Sequence, residues 1–248
     1  RFWITYNGEL YNYRELRADL QRQGMEFHTS SDTEVILAAF AHQGSRCLGS
    51  FRGMFAFVLW DEKQQAGYLV RDRFGIKPLY YAIRDEQIIF GSEIKALLRF
   101  PGVKPSLDPD SLHLLMNYRY IPGERTLFTG IRHLPPGHLL HWQAGRLTLQ
   151  KWAGAAVEPA TVTSLEEVRA RLVNAVRRQL VSDVPLGSYL SAGIDSATIL
   201  ALSLQETRLD RAQFPTFTIQ TGDSPLEHVH AAATARHFQV PNFQGAVE

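Results

Sequence analysis

Apolar and polar positions along the chain fall into two regimes that meet near residue 160. In the first, short aromatic and β-branched runs dominate: Phe2 to Tyr6, Met54 to Trp60, Gly67 to Arg71, Pro78 to Ile83 and Gln87 to Phe90. Asp-Glu, Gly and charged turns separate them, a pattern that predicts strands in an antiparallel meander. The first strand is expected to break at Asn7-Gly8, a dipeptide common in type I′ hairpin turns. Helices are predicted from Tyr13 to Gln23, stopped at Gly24, and through Val35, Ile36, Leu37 and Phe40 behind the capping residues Ser30 to Thr33. Ile94 to Phe100 and Asp110 to Asn117 read as further helices. Leu139 to Trp142 and Leu147 to Trp152 read as brief strands in a stretch rich in Pro and Gly.

Ala153 to Thr163 has the composition of a linker, with small residues, Pro159 and no hydrophobic period. It divides the chain into 1–152 and 164–248. Beyond it, helix and strand alternate: a helix from Ser164 to about Val181, a strand Leu186 to Leu190, a helix Asp195 to Glu206, a strand Thr216 to Gln220 and a helix Leu226 to Phe238. That order predicts parallel strands joined by crossover helices. Two strands are too few for a free-standing sheet of this kind. The chain also opens on Arg1-Phe2-Trp3-Ile4, without an initiator Met and already strand-like, so further sequence is expected at both ends.

Composition narrows the function classes. With 45% apolar residues in 248, the chain has enough to bury real cores. Twenty-six basic residues against 25 acidic leave a net charge of +1, dispersed along the chain, which suggests neither nucleic acid nor an anionic membrane as partner. No apolar run reaches the length of a membrane span. The single cysteine, Cys47, rules out an internal disulfide and a Cys-rich zinc site and fits a cytoplasmic setting. With no His partner at a recognisable spacing, it reads as a packed or surface thiol rather than a nucleophile. The histidines show no metal-ligand spacing, and His228 with His230 reads as a solvated helix start. Arg71-Asp72-Arg73 reads as a structural turn before Pro78.

Between the strand at Leu186 and the helix at Asp195 lies Ser191-Ala192-Gly193-Ile194-Asp195-Ser196. Small residues let backbone approach an anion, the hydroxyls of Ser191 and Ser196 donate to phosphate oxygens, and Asp195 suits a hard cation. The chain contains no Gly-Lys pair, so this is not a Walker loop. The same residues also make an ordinary turn in which Ser191 or Asp195 caps the helix.

The two halves together resemble the bacterial type of glutamine-hydrolysing asparagine synthetases. The resemblance rests on Tyr6-Asn7-Gly8-Glu9-Leu10-Tyr11-Asn12, Ser31-Asp32-Thr33-Glu34-Val35, Arg52-Gly53-Met54-Phe55-Ala56-Phe57, Arg71 to Tyr80 and Gly91-Ser92-Glu93-Ile94-Lys95-Ala96-Leu97, in that order. In the second half it rests on Ser182 to Gly187, on Leu190 to Ser196, which is similar to a pyrophosphate-binding Ser-Gly-Gly-X-Asp-Ser loop, and on Thr216 to Ile219. It implies an α+β glutaminase domain of the N-terminal-nucleophile type, with layered antiparallel sheets and helices. The start of an α/β ATP-pyrophosphatase domain with a parallel sheet would follow.

The implied chemistry is hydrolysis of glutamine, adenylation of aspartate by ATP to β-aspartyl-AMP, and displacement of AMP by ammonia passed between the domains. Asn7 and Gly8 match the oxyanion hole, where a tetrahedral intermediate needs donors. Together with Glu9 and Asp32 they match the glutamine site. For Asp32 the alternative is a helix N-cap. Leu190, Ser191, Gly193, Ile194, Asp195, Ser196 and Ile219 match the ATP site, with Asp195 toward Mg²⁺.

The partners implied are small molecules: glutamine, aspartate and ATP. A homodimer is left open. The family's N-terminal cysteine and second ATP segment would lie outside these residues, so this segment alone is expected to be inactive. Ala192 departs from the family's glycine; were positive φ needed there, it would cost about 1 kcal/mol. Two other readings share the scaffold. One is amide formation on another carboxylate, of the β-lactam, peptide-cyclising or polysaccharide-modifying type; the other is a degenerate, non-catalytic ATP- or glutamine-binding protein.

Overall fold

A computed structural model describes residues 1–154, 164–206, 210–221 and 225–247. The chain divides into two compact units, Arg1–Val157 and Glu158–Glu248. Of the expected linker, 155–163 lie outside the described residues.

The first unit begins with strand β1 (Phe2–Leu10), helix α1 (Tyr13–Arg22) and helix α2 (Asp32–Gln43). It continues through β2 (Gly53–Asp61), β3 (Ala66–Arg71), β4 (Tyr80–Arg84), β5 (Gln87–Gly91), α3 (Ile94–Leu97), α4 (Pro109–Tyr118), β6 (Ile131–His133), β7 (His138–Gln143) and β8 (Arg146–Lys151). The strands of the expected meander are divided between two antiparallel sheets, ordered β1-β2-β3-β7-β8 and β5-β4-β6, as the layered antiparallel sheets of the resemblance imply. The chain leaves the first sheet after β3 because Asp72 accepts backbone N–H bonds from Phe74, Ile76 and Lys77 at 3.0 Å, turning it sharply before Pro78. Arg71, also buried, donates to the carbonyls of Lys77, Leu134 and Gly75. The Arg-Asp-Arg segment is therefore a structural turn, as its sequence suggests. Gly75 sits in it at φ 66°, where a side chain would strike Pro136 and the Arg71 guanidinium.

Alternation along β2 explains the layering. Phe55, Phe57 and Leu59 face α1 and α2, where they meet Leu20, Val35, Ile36 and Phe40. Ala56 faces the second sheet, packing in a cluster with Leu79, Tyr81 and Leu134. On the far side of that sheet, Ala82, Ile89 and Ile131 bury Leu97 of α3. Helices, sheet, sheet and helix thus stack in layers. Each fully buried Phe, Leu or Ile in these cores contributes about 1.5–3 kcal/mol.

The second unit holds α5 (Leu165–Gln179), β9 (Ser188–Tyr189), α6 (Ile194–Glu206), β10 (Thr216–Thr221), α7 (Pro225–Phe238) and β11 (Asn242–Val247). Ser164 caps α5 through the N–H of Glu167, matching the expected start. The strands are parallel, in the order β11-β10-β9. Among the described residues three strands are present rather than two: β11 is short and interrupted by Gly245, and it gains its pairing from β10. The strand expected over Leu186 to Leu190 pairs only at Ser188 and Tyr189.

Candidate functional site

The strand expected to break at Asn7-Gly8 does not break. β1 runs through to Leu10, paired with β2 from Phe2↔Asp61 to Leu10↔Gly53. Local turn propensity gives way to the ladder because Gly8 admits close backbone approach: a Cβ there would collide with Met54 O and Phe55 Cα.

The direction of the β1 amides follows from two bonds. The Leu10 N–H donates 2.9 Å to Asp32 Oδ2 rather than to β2. Opposite Gly8, Phe55 turns its N–H and C=O toward Asp72, at 3.2 and 2.7 Å, and so away from β1. Gly8 and Phe55 therefore form a non-hydrogen-bonded pair, and the Gly8 N–H points out along the free edge of β1. In the sheet order, β1 is the edge strand. Asn7 points to the face opposite the helices, where its Nδ2 donates 3.1 Å to Ser92 Oγ in the turn after β5. Ser92 thus holds one of the two amide hydrogens of Asn7. Glu9 is exposed two positions along the strand.

Asp32 is not the cap of α2. Ser31 is, accepting from the Thr33 N–H at 3.1 Å. Asp32 occupies the first helical position, and its Oδ2 accepts from Tyr6 Oη at 2.7 Å as well as from Leu10 N. The segment before it is held by Glu34, which accepts from the N–H groups of His28 and Thr29 and from the Thr29 hydroxyl. These bonds, led by the Thr29 hydroxyl, pull the Glu34 carboxyl down to about 2. The Gly8 N–H and the Asp32 carboxylate thereby share the outer edge of β1, with the Asn7 side chain on the adjoining sheet face. A cavity of about 760 Å³ between the two sheets, lined by Trp3, Trp60, Trp142 and Phe90, includes none of them.

Cys47 is buried, and desolvation pushes its thiol up to about 12, so it is no nucleophile.

In the second unit, Ser191 to Ser196 joins β9 to the N-terminus of α6. Ser191 Oγ accepts from Gly193 N at 3.2 Å and lies 3.0 Å from Ser196 Oγ, while Ser191 N donates 3.2 Å to Ser196 Oγ. The two serines thus brace the turn against each other. Asp195 is exposed. Positive φ at non-glycine residues is confined, among the described residues, to Gln65, Asp85, Glu86, Arg119, Ala144 and Gln239. Ala192 therefore carries no such strain.

A cavity of about 250 Å³ lies beside the loop, lined by Tyr189, Leu190, Ser191, Ser196, Phe217, Ile219 and Glu227. Its position near the strand ends of a parallel sheet is where α/β proteins bind ligands. Leu190 is buried and forms its wall through backbone bonded to Phe217 and Thr218, whereas Ile219 presents an exposed apolar side chain. Glu227 had no signal in the sequence beyond its place at the start of α7. His228 is half-buried with an unpartnered Nδ1, so the solvated helix start holds only for His230.

Residues 1–153 match the glutamine amidotransferase domain family, and residues 167–247 match asparagine synthase. The chain belongs to the glutamine amidotransferase domain family. It is 37% identical over 206 residues to asparagine synthetase [glutamine-hydrolyzing] 1 of Bacillus subtilis, covering 82% of this chain and 32% of that one. Asparagine synthetase [glutamine-hydrolyzing] 2 of the same organism is 31% identical, over 97% of this chain and 34% of its own. Amidase chry2 of Gibberella zeae is 36% identical, over 79% and 30%. The chain spans about a third of the length of these curated relatives.

A hard cation needs several oxygens, yet among the described residues no three His, Cys, Asp or Glu side chains gather to hold one. A single exposed carboxylate, Asp195, fits an ion whose remaining ligands are phosphate oxygens and water. No described helix is long and apolar enough to cross a membrane.

Proposed function

We propose that this chain carries the glutamine-hydrolysing and ATP-binding parts of a cytoplasmic enzyme that makes asparagine from aspartate. Residues 1–152 are the glutaminase domain, of the N-terminal-nucleophile type, and 164–248 belong to the ATP-pyrophosphatase domain. The observation that carries the reading is the outward-pointing Gly8 N–H on the edge of β1, beside the Asn7 amide and the Asp32 carboxylate.

Attack on the glutamine side-chain amide converts its carbonyl oxygen to an oxyanion. Gly8 N–H and Asn7 Nδ2–H supply two fixed donors for that charge, each worth about 10²–10³ in rate. Asp32 and Glu9 take the α-ammonium end, holding the amide over the donors. The products are glutamate and ammonia.

In the second domain, Ser191, Gly193, Ile194, Asp195 and Ser196 form the cradle for the pyrophosphate of ATP, with Leu190 and Ile219 beside the base. Mg²⁺, held by Asp195 and the phosphates, would neutralise charge on the leaving pyrophosphate. The aspartate β-carboxylate oxygen bonds to the α-phosphorus as the bond to pyrophosphate breaks; ammonia then bonds to the β-carbonyl carbon and AMP leaves. The loop contributes position and preorganised donors.

The test is product analysis of the intact protein with glutamine, aspartate and ATP. AMP and pyrophosphate should form only with aspartate present. Asn7→Ala should lose the glutamine-driven reaction, and ammonium salts should restore product. ADP as the nucleotide product would refute the adenylation. AMP release independent of aspartate would favour a second reading, amide formation on another carboxylate.

A further inference from the structure

Asp32 has to present one oxygen to a substrate while its side chain is held still, and the structure contains a device for this. Both donors that reach it, Tyr6 Oη at 2.7 Å and Leu10 N at 2.9 Å, go to the same oxygen, Oδ2. Among the described residues no donor reaches Oδ1. The Tyr6 ring packs against the core that α2 forms with β2, so its hydroxyl is fixed from below the sheet edge. Behind Asp32, Val35 and Ile36 are fully buried and anchor the first turn of α2.

We infer that Tyr6 is a positioning residue for glutamine recognition: by holding Oδ2 it aims Oδ1 of Asp32 at the α-ammonium group of the substrate. This rests on the proposed role of Asp32 as the ligand of that group. Burial, with the Asp32 hydrogen bond adding to it, raises the Tyr6 hydroxyl far above its ordinary range, so it remains a donor at every working pH. Tyr6 lies on the α2 side of β1, whereas the Asn7 amide lies on the opposite face beside Ser92. Removal of Tyr6 therefore loosens binding of the amino end and leaves the chemical step alone.

The experiment uses Tyr6→Phe and Asp32→Asn in the intact protein. Hydrolysis of glutamine is compared with that of glutaramate, which has the same side-chain amide and no α-amino group. For Tyr6→Phe, KM for glutamine should rise about tenfold, the scale of a hydrogen bond to a charged group. Its kcat should stay within twofold, and KM for glutaramate should not move. Asp32→Asn should raise KM for glutamine further, again sparing glutaramate. If Asp32→Asn shows this selectivity and Tyr6→Phe does not, the positioning role is overturned and the Asp32 assignment stands. A Tyr6→Phe change that weakens both substrates equally would also overturn it, marking a merely structural tyrosine. If Asp32→Asn fails to discriminate between the substrates, the assignment of Asp32 itself falls.

Discussion

Asp72 is the most consequential single side chain in the first unit, and Asp72→Asn tests why. Its carboxylate is fully buried and accepts four backbone N–H bonds, two on each oxygen: Phe74 and Ile76 on Oδ1, Phe55 and Lys77 on Oδ2. Asparagine has the same shape but replaces one oxygen with NH₂. In either orientation of the amide, two N–H groups then face another donor. Each unsatisfied group costs about 1–3 kcal/mol, so the substitution should destabilise the unit by about 2–6 kcal/mol. Against a total of about 5–15 kcal/mol, that is a large fraction. Urea unfolding followed by tryptophan fluorescence measures it, with Trp152 stacked on Phe55 at 6.0 Å as a nearby reporter. The midpoint should fall while the slope holds. Asp110→Asn, which breaks an exposed ion pair with Arg125, is the control and should cost less than about 1 kcal/mol. A loss below about 1 kcal/mol for Asp72→Asn would refute the argument, since the four amides would then have other partners.

Three further outcomes follow from single residues. Cys47, with its thiol near 12, should resist iodoacetamide at pH 8 in the folded protein and react once in denaturant; labelling of native protein would contradict its burial. Burial, with Arg71 beside it, lowers His133 from 6.5 to about 4, so on acidification the unfolded chain takes up a proton that the folded one refuses. Stability should therefore fall as pH drops from 6.5 to 4, and His133→Gln should flatten that slope; an unchanged slope would clear His133 of the effect. Because Ala192 lies outside the positive-φ region, Ala192→Gly should leave KM for ATP within twofold, and a marked gain in affinity would show that Cβ crowds the phosphates.

Local rules were legible in the sequence wherever a few neighbouring residues decide the outcome. Ser31 and Ser164 begin helices because each hydroxyl accepts an N–H of the first turn, and Arg71-Asp72 turns the chain because Asp72 serves amides two to five residues ahead. Pairing across long separations was not legible. Asn7-Gly8 resembles a turn locally, but the β2 ladder, more than 40 residues away, holds it extended. The division of the strands into two sheets, the three-residue β6 and the Gly-containing β11 likewise depend on partners that no local pattern names. Of the proposed glutamine site, Asn7, Gly8 and Asp32 came from the family resemblance of the sequence, whereas the direction of the Gly8 amide and the holds of Tyr6 and Ser92 needed the structure. Period-two alternation does place Tyr6 on the α2 side of β1. It does not say that Asp32 waits there.

In the proposed reaction, ammonia released at the β1 edge ends in an amide made at the ATP site of the same protein. Glutamine labelled with ¹⁵N in its side-chain amide, incubated with aspartate, ATP and the intact protein, tests it directly. The account expects ¹⁵N in the side-chain amide of asparagine, with glutamate and AMP formed in equal amount. Glutamate formed without labelled asparagine, or asparagine labelled only when free ammonium carries the isotope, would contradict it.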